Sequence, residues 1–306
     1  MLDPRRLRVL RQVADSGSIV GAARALSFTP SAVSQQIAAL EREVGVRLLE
    51  RGRRGVALTD AGAALVARAD VILRELARAE ADVRAVLDLA AGTIRIGAFP
   101  SAGTELVPNA LLAFAGGHPG VDVRLFELEP EESLPRLRTG ELDLVVAYEC
   151  DYVPLGLGEE LVQETLFREP MFVVVGKGRS RSRGPIDLRE LAEERWIAST
   201  PGTSIRDFTI RACQAAGFEP RLASHWNDFQ VVQSLTAAGL GVAFIPRLAV
   251  RPTRPGVAVR TVQGEPGRRV FAAWLPGGAR EPLVAAALEA LRLAAQPLGS
   301  PARQRG

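Results

Sequence analysis

The chain has 306 residues, 47% hydrophobic and 24% charged, a balance that excludes disordered, fibrous and collagen-like chains and leaves room for two domains of about 150 residues each. No apolar run approaches the roughly 20 residues of a membrane span, and the opening MLDPRRLRVLRQ interleaves arginine with apolar residues instead of forming a secretory leader; a cytoplasmic protein without membrane contact is expected. The net charge of +3 is uneven: residues 1–60 carry ten arginines against six acids and residues 61–92 four arginines against five acids, so a basic head joins a neutral body and calls for a polyanionic partner.

Asp3-Pro4 supplies a cap and a first-turn proline for a helix with Leu7, Leu10 and Ala14 on one face, which Ser16-Gly17-Ser18 closes. A short helix over residues 19–26 follows, then the turn Ser27-Phe28-Thr29. Thr29 caps a third helix and Pro30 suits its first position. On that helix Val33, Ile37, Leu40 and Val44 share the buried face, leaving Ser31, Ser34, Gln35, Ala38 and Arg42 outside. Short polar side chains at the N-terminal end of such a face can enter the major groove of double-stranded DNA, and Gln35 has the two-pronged amide that pairs with adenine. The predicted DNA contacts are Thr29, Pro30, Ser31, Ser34 and Gln35, joined by Arg51, Arg53 and Arg54 of a glycine-hinged hairpin, Arg51 to Leu58, that reads as a wing on the phosphates.

These residues resemble the LysR-type family of bacterial transcriptional regulators. The likeness rests on AAxxL at Ala22 to Leu26, TPSAVSQQIAALEREVGVRLLER at Thr29 to Arg51 and LTDAG at Leu58 to Gly62, in that order. Pro30-Ser31 stand where Gln-Pro is frequent in the family, and Gln35 where Arg is frequent. These departures bear on which operator is read.

From Ala63 to Ala91 there is no glycine or proline, so a helix longer than 40 Å is expected at about 1.5 Å per residue. Leu65, Ala69, Ile72, Leu76, Ala79, Val83, Val86 and Ala90 alternate four and three apart, a heptad seam for pairing with a second copy; Leu65, Ile72, Leu76, Val83 and Val86 are its dimerisation residues. The alternative is a helix packed on its own chain. In the family this helix links the domains and dimerises, and the resemblance adds a tetramer and RNA polymerase to the expected partners.

After Gly92, strands at 93–98, 121–127 and 142–147 alternate with helices at 104–116 and 132–139, a βαβαβ pattern that predicts a parallel sheet. A second set follows: strands near 171–175, 196–198, 222 and 242–245, helices at 188–193, 204–216 and 228–238, and finally a strand at 270–275 and a helix at 282–294. Two α/β lobes with crossings near Arg168 and Arg269 fit these lengths. The fold class is therefore α+β with two domains, an N-terminal winged helix-turn-helix (1–58) with a long linker helix (59–91) and a C-terminal two-lobed α/β body (92–306). Lobe I takes about 92–168 and 270–295, and lobe II about 169–269. GxLDLVVA at Gly140 to Ala147 and GLGVAFIP at Gly239 to Pro246 extend the resemblance to the family's effector-binding domain, which is similar to periplasmic solute-binding proteins.

Ligands in such folds sit where strands end and helices begin, facing free N–H groups. Phe99, Pro100, Ser101 and Ala102 after the first strand, Thr200 and Thr203 before a helix of lobe II, and Phe229 are the predicted effector contacts. A small carboxylate metabolite suits them, with plain helix capping as the alternative. Glu127, Glu129, Glu131 and Glu132 form either a solvated acidic loop or a cleft mouth suited to an amine. No cofactor, metal site or catalytic residue is expected. His118 and His225 lie far apart without ligand-spaced neighbours, no nucleophile elbow, P-loop or dinucleotide motif occurs, and Cys150 and Cys213 read as buried small side chains. An enzyme and a secreted solute-binding protein are the competing classes; the first lacks a catalytic constellation, and the second would carry a leader and no basic head.

Overall fold

The computed structural model describes residues 2–52, 55–87, 92–179, 184–277 and 280–299. Two compact units form, one from the first 86 residues and one from the remainder, with residues 138–140 counted in the first.

In the first unit, α1 (Pro4–Ser16) starts where the Asp3 carboxylate accepts the Arg5 amide at 2.9 Å and stops at Gly17. Ser18 caps α2 (Ile19–Ala25), and Thr29 caps α3 (Pro30–Val44), its hydroxyl accepting the Ala32 amide at 3.2 Å. Leu7, Leu10, Val13, Ala22, Val33, Ile37 and Leu40 close one core between the three helices. β1 (Leu49–Gly52) and β2 (Gly55–Leu58) pair antiparallel, with Arg51 opposite Val56. Thr59 then caps α4 (Asp60–Leu87), 28 residues and about 42 Å long, by accepting the Gly62 amide at 3.1 Å. A side chain at Gly62 is excluded, because its Cβ would lie 2.1 Å from the Leu48 carbonyl oxygen. The glycine of the LTDAG segment thus lets α4 start against the strand pair.

The second unit is a mixed sheet rather than the parallel one expected. β3 (Thr93–Ala98) pairs parallel with β4 (Asp122–Glu127) and with β5 (Leu144–Cys150), with α5 (Leu106–Gly117) and α6 (Pro130–Arg138) as the connections. β6 (Val162–Gly176) follows β5 with no intervening helix and does not pair with it; every strand it does pair with runs antiparallel to it. Residues 162–170 of β6 pair with β11 (Gly267–Trp274), which lies between β6 and β5, and residues 171–176 pair with β9 (Ala243–Pro246) and β10 (Val257–Arg260). β6 therefore belongs to both lobes. β7 (Arg195–Ala198) and β8 (Arg221–His225) pair parallel, and a bridge from Trp196 to Val242 joins them to the strand that becomes β9. α7 (Ser204–Ala215) and α8 (Phe229–Ala237) belong to this second lobe, and α9 (Glu281–Ala295) packs on α5 in the first.

Three local expectations are corrected. Residues 100–104 form a 3-10 turn before α5 begins at Leu106, because Pro100 starts a tight turn directly after the strand. The helix expected at 188–193 is a 3-10 turn over Leu188–Leu191, capped by Asp187 and Glu190 and cut short by the strand at Arg195. β10 was not foreseen; its segment Val-Ala-Val-Arg lies between proline- and glycine-rich turns and carries only four residues of pattern.

Candidate DNA interface and effector site

On α3 the capping and packing of the first unit turn one face outward. Thr29, Pro30, Ser31, Ser34, Gln35, Ala38 and Arg42 are exposed, opposite the buried Val33, Ile37 and Leu40. The Ser34 hydroxyl donates to the Pro30 carbonyl at 2.9 Å, and those of Thr29 and Ser31 lie 3.0 Å apart. Gln35 has no such bond among the described residues, so its amide is available to a base edge. Phe28, half-exposed beside Thr29, adds an apolar surface next to this polar face, one that its place in a turn does not announce. The wing backbone is described at Arg51, but Arg53 and Arg54 lie outside the described residues.

The helix α4 divides its heptad seam between two roles. Leu65 and Ile72 are half-buried against the core of their own unit, where Ala69 is fully buried, whereas Leu76 is 41% exposed. The packed-on-its-own-chain alternative therefore accounts for part of Leu65 and Ile72, and Leu76 is the first of the predicted seam positions to face outward. The side chains of Val83 and Val86 lie outside the described residues.

In the second unit most of the predicted effector residues are already engaged with their own chain. Phe99 and Ala102 are buried, and the Phe99 ring stands edge-on to Tyr148 at 4.9 Å. Ser101 is buried and its hydroxyl accepts from Arg268 Nη2 at 2.7 Å. Arg268 on β11 lies opposite Glu169 on β6 and donates Nε to its carboxylate at 2.8 Å, with 1% and 0% of the two side chains exposed. The guanidinium is flanked by Phe99 and Tyr148 at 4.6 and 4.5 Å, the distance of a cation–π contact. The other Glu169 oxygen accepts the Leu248 amide at 2.8 Å. At the same crossing a Cβ on Gly267 would meet the Glu169 carbonyl oxygen at 2.5 Å, so only glycine lets the strands approach this closely.

On the lobe II side Thr203 caps α7, accepting the Arg206 amide, and donates to the Thr200 carbonyl at 2.9 Å; Thr200 is held by Asn227. The Thr203 hydroxyl does what the capping alternative required, while that of Thr200 pairs with the Asn227 side chain. Phe229 packs against the core of lobe II beside Val232 and Ile245 rather than standing free at the junction. The acidic segment is not a solvated loop at two of its positions. Glu129 accepts the Tyr148 hydroxyl at 2.8 Å, and burial, countered in part by this bond, raises its carboxyl above the ordinary range. Glu131 accepts both the Ser204 amide, at 2.7 Å, and the Ser204 hydroxyl. Arg268, Glu169 and Tyr148 were not picked out by pattern, since a buried ion pair leaves no periodic signal, whereas Ser204 lay in the helix-start segment Thr200 to Ser204. Glu129 and Glu131 were visible as a cluster, a solvated loop or a cleft mouth for an amine, but not as partners of Tyr148 and Ser204.

Two family models cover nearly all of the chain: "Bacterial regulatory helix-turn-helix protein, lysR family" matches residues 4–63 and "LysR substrate binding domain" matches residues 87–296. The chain belongs to the LysR family of transcriptional regulators. Among relatives of this LysR-family protein, the probable HTH-type transcriptional regulator LrrA of Synechococcus elongatus is 31% identical over 290 residues, 94% of this chain and 95% of LrrA. A probable hydrogen peroxide-inducible genes activator of Streptomyces viridosporus is 32% identical over 300 residues, 94% of either chain. Full-length CbnR complexed with its target DNA shares the fold at a TM-score of 0.54 and 24% identity, covering 96% of this chain and all of CbnR. This LysR-family regulator thus joins a DNA-binding helix-turn-helix to an effector-binding domain.

Proposed function

We propose that this regulator reads its operator through Thr29, Pro30, Ser31, Ser34 and Gln35, with Arg51, Arg53 and Arg54 of the wing on the phosphates, and that it acts by binding and not by catalysis. The outward face of α3, polar and short-chained over its first two turns and backed by a buried stripe, carries this reading. The unit that presents it is a homo-oligomer paired along α4 from Leu76 onward through Val83 and Val86, a dimer that builds to a tetramer, working in the cytoplasm at promoters where RNA polymerase is the further partner. A small-molecule effector, a carboxylate metabolite by the chemistry of the helix-start segments at Ser101 and Thr200–Ser204, binds at the junction of the two lobes. Occupancy mapping across the genome, followed by footprinting at the sites found, tests the reading: Gln35→Ala should weaken specific binding by about 1–3 kcal/mol and spare binding to random DNA. Equal loss on both would remove Gln35 from base reading.

The peroxide response in the name of the Streptomyces viridosporus relative is not part of this proposal. Peroxide sensing by cysteine needs an accessible thiolate. Cys150 and Cys213, the chain's two cysteines, are both buried, and burial pushes each thiol up to about 12.

A further inference from the structure

Glu131 opens α6 in lobe I, yet its carboxylate is bound at the first residue of α7 in lobe II, where Ser204 offers both its backbone N–H and its hydroxyl. The first N–H groups of a helix are the groups an anionic ligand would use, and the dipole of α7, a helix of 12 residues, favours negative charge there. We propose that Glu131 is a tethered occupant of this position, a latch that ties lobe I to lobe II and that an effector releases by taking its place. This rests on the reading that the effector binds at the lobe junction.

The contact is exclusive, since one N–H cannot serve two carboxylates at full strength. It is also opposed. The second oxygen of Glu131, Oε2, is buried with no hydrogen-bond partner among the described residues, and Glu129 is a like charge close to it. A buried acceptor left unsatisfied destabilises the arrangement that buries it. Glu131 is thus held by one residue while its second oxygen goes unsatisfied, the condition for a contact that must both form and let go. Displacing it severs the bond from α6 to α7, whereas the Arg268–Glu169 pair on the crossing strands stays in place as the pivot. A released latch therefore changes how far the lobes close without unfolding either.

The test needs no knowledge of the effector. Full-length wild type, Glu131→Ala, Glu131→Gln and, as a neighbour control, Glu132→Gln are compared by hydrogen exchange at Ser204 to Arg206. Lobe separation is read between spin labels on Glu159→Cys and Ala223→Cys. Glu131→Ala should exchange about tenfold faster at Ser204, the scale of one lost hydrogen bond, and widen the label distances; Glu131→Gln, which keeps an acceptor, should fall between. Propionate, a free copy of the missing side chain, should restore protection at Ser204 in Glu131→Ala and leave wild type unchanged. Faster exchange with unchanged label distances would overturn the latch and reduce Glu131 to a cap, and unchanged exchange would overturn the contact itself. Neither outcome touches the effector reading, which fails separately if small molecules that shift operator binding leave the lobe junction unperturbed.

Discussion

Replacing Arg268 by methionine should be among the most damaging single changes in the effector-binding domain, and the structure sets its size. The change leaves the Glu169 carboxylate with no cation in a place where 0% of its side chain is exposed, and breaking a buried pair from one side costs about 3–5 kcal/mol. The two cation–π contacts contribute roughly 0.5–2 kcal/mol each, of which a methionine sulfur between the same rings keeps a part. A loss of about 4–6 kcal/mol follows. Most of it is the orphaned charge, so Arg268→Met combined with Glu169→Gln should recover about 2–3 kcal/mol, because the glutamine oxygen can still accept the Leu248 amide. Urea denaturation followed by tryptophan fluorescence measures this directly. Trp196, Trp226 and Trp274 are the chain's three tryptophans and all lie in the second unit, so the signal reports that unit and not the DNA-binding one. A single mutant within about 1 kcal/mol of wild type, or a double mutant as unstable as the sum of the singles, would refute the reasoning.

Leu76→Asp, placed where the seam turns outward, should dissociate the dimer in sedimentation while leaving the fold of the first unit intact, since Leu76 is 41% exposed within its own chain; an undisturbed dimer would move the interface elsewhere. Burial raises the Glu129 carboxyl, so the folded chain holds that proton more tightly than the unfolded one. Stability from this group is then present at low pH and lost as pH rises from the ordinary glutamate range through the raised value. Glu129→Gln should flatten that fall in pH-dependent thermal unfolding, and an unaltered pH profile would contradict it. Brief peroxide treatment should leave both thiols titratable once the chain is unfolded, with operator binding unchanged; the loss of either thiol would reopen a redox role.

Legibility followed physical range. Caps and turns are local, and Asp3 and Thr29 act where their spacing to the next apolar stripe placed them. The outward face of α3 was readable for the same reason, one helix period against one core. The sheet was read less well, because the direction of β6 depends on β11, about 100 residues later, and no local pattern carries that pairing. The site shows the same division. Ser101 and Thr203 could be placed at helix starts, but whether their hydroxyls face a ligand or the chain was decided by Arg268 and by the Thr200 carbonyl, groups that only the tertiary fold brings near. Glu131 was seen as charge and missed as a bond.

The double membership of β6 also governs the order in which this domain can be made on the ribosome. The edge of β5 that pairs with β11 is synthesised by Cys150, while β11 begins at Gly267. At about 5–20 residues per second, the interval is roughly 6–23 s. Through that time lobe I exists as a sheet with an open edge, Leu-Val-Val-Ala-Tyr, apolar and unpaired, while all of lobe II is being laid down. The first lobe begun is thus the last one finished. A stall or truncation inside lobe II leaves a strand competent to pair with another chain, which makes the span between β5 and β11 the interval in which a nascent-chain chaperone has most to protect.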